Sequence, residues 1–139
     1  MDTHQVASAD DLRSLIEERD VEYVVVALPD MQGLLRGKYL SRRKLLGALE
    51  NGLGVPPVIF AMEPTDVLYE VVGLSDASTG FPDVPAQVIP QTLREIPWEP
   101  AHRNLFVMLT HGKEGLSFCP RSICQHVLER AGSMGFRAF

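Results

Sequence analysis

The chain has 139 residues, of which 45% are hydrophobic and 22% charged, with 13 basic and 18 acidic side chains and a net charge of −5. This composition fits a single packed domain and excludes wholesale disorder, and the acidic balance argues against a nucleic-acid partner. No apolar run approaches the roughly 20 residues that span a bilayer. The acidic start lacks a secretory pattern and two cysteines are too few for a disulfide framework, so the sequence predicts a cytoplasmic protein with reduced thiols and no membrane partner.

A helix is predicted over 9–19. Ser8 caps it, Asp11 completes a capping box, and Leu12, Leu15 and Ile16 share one face. The β-branched run 21–28 reads as a buried central strand. Pro29, Asp30 and Gly33 mark a turn, and a second strand over 34–40 completes a hairpin. Arg36 and Lys38 on that strand read as an exposed face or, alternatively, as a subunit contact with the acidic middle region.

Ser41 opens a second helix with Leu45, Leu46 and Leu49 on its buried face, and Gly52 ends it. Arg42, Arg43 and Lys44 in its first turn oppose the helix dipole and call for an acidic neighbour. Residues 51–64 hold two glycines and three prolines and read as a loop, with a short extended piece at Val58–Ala61. Its apolar residues around 52–62 are expected to be exposed or disordered. Strands are expected at 66–72, at 86–89, at 93–96 and, most strongly, at 104–110, with a turn-rich surface segment at 73–82. Pro120 suits a first helical position. Ile123, Val127, Leu128 and Ala131 then form the apolar face of a helix that Gly135 stops. The order is helix, hairpin, helix, irregular middle, strands, helix. It predicts an α+β fold with helices packed on one face of a mostly antiparallel twisted sheet.

Charge runs in blocks: 34–44 carries five bases and no acid, whereas 50–100 carries eight acids and only Arg94. Catalytic groups are sparse. Cys119 precedes the last helix, but no histidine is near it in sequence, and it reads as an unreactive thiol. Cys124 reads as packed. Cys119, Cys124 and His126 lack zinc spacing, and His4, His102 and His111 are expected in solvent. Gly52-Leu53-Gly54 is followed by two prolines instead of a helix, which excludes a dinucleotide fingerprint. Trp98 is expected to pack in the core or against a subunit.

Four ordered segments resemble the N-terminal domain of the glutamine synthetase family. They are the hairpin 24–38 with its Asp-x-x-Gly turn, Asp76-Ala77-Ser78-Thr79, Leu93-Arg94-Glu95-Ile96-Pro97-Trp98, and Cys119-Pro120-Arg121 with Val127-Leu128 and Gly135-Phe136. Arg-Gly-Lys in the hairpin is similar to the branch of γ-glutamyl-polyamine and related amine ligases. The resemblance implies a β-grasp fold for residues 1–139 and a parent homo-oligomer. The parent would use ATP to join a glutamate γ-carboxylate, through γ-glutamyl phosphate, to ammonia or an amine. It implies that ATP and Mg2+ or Mn2+ bind in a catalytic domain expected to follow residue 139, so that the chain alone is inactive. Its expected partners are the catalytic domains of its own and the adjacent subunit. Glu50 and Asn51, on the loop facing the neighbouring subunit, are then the catalytic candidates. A free-standing β-grasp interaction module is the alternative.

Overall fold

In a computed structural model, residues 2–69 and 77–138 are described. Helix α1 spans Ala9–Glu18 and starts with the expected reciprocal cap: Ser8 Oγ accepts from the Asp11 amide at 3.1 Å, and the Ser8 amide donates to Asp11 Oδ2 at 2.9 Å. Leu12, Leu15 and Ile16 are completely buried. Strands β1 (Tyr23–Pro29) and β2 (Leu35–Ser41) form the expected antiparallel hairpin, with Val26 opposite Lys38. Helix α2 (Arg42–Asn51) follows at once. Its capping residue Ser41 makes no side-chain bond, and Gly52, at φ +74°, closes its other end.

The irregular middle is more ordered than its prolines suggest. The extended piece is β3 (Leu53–Val55), paired with β4, whereas Pro57–Ala61 forms a 3-10 turn instead of the expected extension. Pro57, Phe60 and Ala61 are buried, which corrects the expectation of an exposed loop. A lone bridge between Met62 and Leu68 is the only pairing described in the stretch read as a strand over 66–72. Residues 70–72 of that stretch, and 73–76 of the turn-rich segment, lie outside the described residues.

The two short strands expected at 86–89 and 93–96 are one strand, β4 (Val84–Glu95). Between the pairs Ile89–Met108 and Arg94–Phe106, four residues of β4 oppose Val107 alone. Pro90 has no amide to give the ladder. Thr92 repairs the gap: its Oγ1 accepts from the Met108 amide at 2.9 Å and donates to the Ile89 carbonyl at 2.6 Å. Strand β5 (Leu105–Thr110) runs beside β1 in parallel, and the sheet order is β2-β1-β5-β4-β3. The fold is therefore α+β, with three antiparallel pairings around one parallel pair.

Strand side chains alternate between faces, and the two faces differ. Val24, Val26 and Leu28 of β1, with Leu105, Val107 and Leu109 of β5, meet α1 and α2 in the core. Each fully buried aliphatic side chain contributes on the order of 1.5–3 kcal/mol. The opposite face carries Val25, Phe106, Met108 and Ile89, which are half-buried, and Tyr23, Leu35 and Tyr39, which are 44%, 56% and 49% exposed.

Helix α3 (Pro120–Ser133) is anchored only at its start, by the buried Cys119 and Ser122. A side chain at Gly115 would place its Cβ 2.6 Å from Ser122 Oγ and 2.8 Å from the Cβ atoms of Cys119 and His111. That absence of a side chain is what lets α3 seat. The apolar face expected to be covered is not: Ile123, Val127 and Leu128 are 38%, 58% and 48% exposed. No helix among the described residues is long and apolar enough to cross a membrane.

Candidate functional site

A buried, fully bonded carboxylate organises the β1–β2 turn. Asp30 follows the last residue of β1 with its side chain fully buried. Its Oδ1 accepts from the Gln32 and Leu34 amides, both at 2.9 Å, and its Oδ2 accepts from Arg36 Nε at 2.7 Å. Gly33 closes the turn at φ +84°, a conformation that suits glycine. Burial alone would raise the Asp30 pKa. The Arg36 guanidinium and the two amides outweigh it and hold the carboxyl below its ordinary range.

Arg36 reaches further along the chain. Its Nη2 donates to the Glu63 carbonyl at 2.7 Å and its Nη1 to the exposed carboxylate of Asp66. The guanidinium thus ties the hairpin to the turn at 63–66. Arg36 is therefore not on a free strand face, and the contact with the acidic middle region, the alternative reading as a subunit contact, is made within the same chain. Lys38 remains exposed. The cations at the start of α2 find partial relief, because Arg42 pairs with Asp20 at 2.5 Å and donates to the Val21 carbonyl at 2.7 Å.

Glu50 and Asn51 stand at the C-terminal end of α2. Glu50 pairs with Arg13 of α1 at 2.9 Å while its side chain stays 62% exposed, and Asn51 Nδ2 donates to the Gly47 carbonyl at 3.3 Å. Both are accessible, and both have a local partner.

Other expected placements change. His111 is buried, not solvated: its ring stacks edge-on against Phe60 and Phe118, and Nδ1 lies 3.0 Å from the Pro85 carbonyl. Trp98 is 82% exposed, so it is not a core residue of this chain. Cys124 is exposed, not packed, whereas Cys119 is fully buried, as an inert thiol should be. Among the described residues, no group of three or more His, Cys, Asp or Glu side chains is placed to hold a metal ion. An open cleft of about 830 Å³ lies between the β1–β2 turn and the first turns of α3, with Ile89 and Thr110 of the sheet also lining it.

The fold and the exposed sheet face define a class: an α+β unit of the glutamine synthetase fold. It superposes on a structure titled GmaS/ADP complex with a TM-score of 0.62 at 26% identity, over 88% of this chain and 26% of that one. For the fold alone, it matches Plasmodium falciparum glutamine synthetase with a TM-score of 0.65 at 20% identity, over 97% of this chain and 24% of that one. No family model matches the chain. Among curated proteins, it is 38% identical over 110 residues to the Type-1 glutamine synthetase 2 of Dictyostelium discoideum, covering 78% of this chain and 21% of that protein. It is 30% identical over 132 residues to gamma-glutamylethanolamide synthetase GlnA4 of Streptomyces coelicolor, covering 93% and 28%. The chain belongs to the glutamine synthetase family and matches its N-terminal domain. It spans 21–28% of the length of these curated relatives.

Proposed function

We propose that this chain is the N-terminal domain of an ATP-dependent ligase that joins the γ-carboxylate of glutamate to ammonia or an amine through γ-glutamyl phosphate. The observation that carries this reading is the 38% identity to a glutamine synthetase several times its length. Relatives named for a gamma-glutamylethanolamide product and for an isopropylamine substrate make small primary amines candidate acceptors beside ammonia. The larger catalytic domain is proposed to follow residue 139, in a cytoplasmic homo-oligomer.

Among the described residues, no group of three or more His, Cys, Asp or Glu side chains could hold a metal ion. ATP and Mg2+ or Mn2+, which would neutralise charge during phosphoryl transfer, are assigned to the catalytic domain. This chain's share is to border the active centre of its own or the adjacent subunit. The exposed apolar face of the sheet and the uncovered face of α3 support that role, because such patches mark contact surfaces. Glu50 and Asn51 are the groups proposed to face the neighbouring subunit, and the exposure of Glu50 leaves its carboxylate available.

The test is ATP- and glutamate-dependent phosphate release by the protein extended to the length of its relatives, with ammonia, ethanolamine and isopropylamine as acceptors. Turnover by the extended protein and none by residues 1–139 is expected, with a severalfold loss in Glu50→Ala. An extended reading frame without glutamate-dependent turnover would instead favour a free-standing interaction module.

A further inference from the structure

Arg13, Arg19, Arg36, Arg42 and Arg103 each hold a carboxylate. Arg121, although half-buried, does not. Its Nη1 donates to the thioether of Met108 at 3.3 Å, a weak acceptor, and its buried Nε has no partner. An Nε withdrawn from water without an oxygen partner loses hydration and gains little in return, while the rest of the half-buried guanidinium stays able to meet a ligand. Such a group needs an explanation, and one explanation is an anion from outside the chain.

Arg121 lines the cleft of about 830 Å³ between the β1–β2 turn and α3. That volume is within the usual range of small-molecule sites. The other walls are mainly apolar: Pro29 and Met31 from the turn, Ile89 from β4, and Pro120 and Leu128 from α3. Asp30 also lines the cleft, but Arg36 and two backbone amides already occupy its oxygens. Its charge is therefore compensated and does not cancel that of Arg121. Planar guanidinium groups match carboxylates two-to-two, whereas a bare point charge does not need that geometry.

We propose that this cleft binds a small carboxylate carried on an apolar body, aromatic or branched aliphatic, with Arg121 as the group that pairs with the carboxylate. The cleft shares Ile89 and Leu128 with the apolar faces proposed above to be contact surfaces, so the titration is made on residues 1–139 alone.

The test is titration of the 139-residue chain with benzoate, benzamide and inorganic phosphate, followed by backbone amide shifts in NMR. Benzoate should move the amides of Gly33, Thr110 and Gln125 and bind in the millimolar range, at least roughly tenfold more tightly than benzamide. Arg121→Gln should remove that preference, and Arg121→Lys should keep only part of it. Equal binding of benzamide, equal binding of phosphate, or an unchanged preference in Arg121→Gln would overturn the proposal. Should Arg121→Gln fail to fold, Leu128→Ser on the exposed wall decides: benzoate binding must fall severalfold while acetate binding stays unchanged, and unaltered benzoate binding overturns the proposal.

Discussion

The β1–β2 turn and helix α3 both present apolar side chains to solvent, yet they are held in opposite ways. At the turn, Asp30 and Arg36 satisfy each other, two amides, a carbonyl and a second carboxylate, so Met31 and Leu34 stand exposed on a fixed frame. Along α3, only the first turn is fixed, and the side chains from Ile123 to Leu128 have no cover. A surface can therefore be apolar and uncovered either because polar bonds beneath it fix its shape or because its packing partner lies elsewhere. The first kind should be costly to disturb in the isolated chain, and the second nearly free.

The largest effect is expected at Asp30. Asp30→Asn keeps the shape but removes the charge facing Arg36 and should cost roughly 2–4 kcal/mol at neutral pH, measured by urea unfolding. Because folding lowers the pKa of Asp30, its contribution is complete above the ordinary carboxylate value of about 3.9 and is lost as pH falls through the folded pKa. The gap between wild type and variant should therefore hold from neutral pH down to about 4 and narrow below it. A pH-independent gap would remove Asp30 from the frame.

A middling effect is expected at Gly115, where α3 meets the body. Gly115→Ala forces a Cβ into Ser122, Cys119 and His111 and should cost about 1–3 kcal/mol in the same assay. It should also raise hydrogen exchange in the first turn of α3 more than in β1. The smallest effect is expected at Val127→Lys, on the uncovered face. It should change stability by no more than about 0.5 kcal/mol. A loss of about 2 kcal/mol or more would mean that α3 is packed within this chain, and the contrast with the turn would collapse.

Local signals made the turn legible. Pro29, Asp30 and Gly33 announce it, and the capping box at Ser8 and Asp11 announces α1 with equal clarity. The clamp on Arg36 was not legible, because Asp66 is thirty residues away in sequence and becomes a neighbour only through the fold. Periodicity correctly gave α3 an apolar face, but a repeat of apolar residues says nothing about whether anything covers it. The two short strands expected at 86–89 and 93–96 leave out Pro90, which has no amide for a ladder. The structure spans the break with a threonine hydroxyl, which depends on Thr92 reaching the Met108 amide and the Ile89 carbonyl. His111 is buried where solvent was expected, and Trp98 is outside the core of this chain, because burial of a single ring is decided by long-range packing. At the candidate site, Glu50 and Asn51 were drawn from family resemblance, whereas the unpaired state of Arg121 can be read only from its surroundings.

The parallel pairing of Val24 with Leu105 bears on how the polypeptide emerges during translation. Strand β1 is made well before β5, its neighbour in the middle of the sheet. Until β5 leaves the ribosome, one side of β1 has no backbone partner and its run of valines stays exposed. The nascent chain should therefore form the β1–β2 hairpin first and close this core only once β5 has emerged.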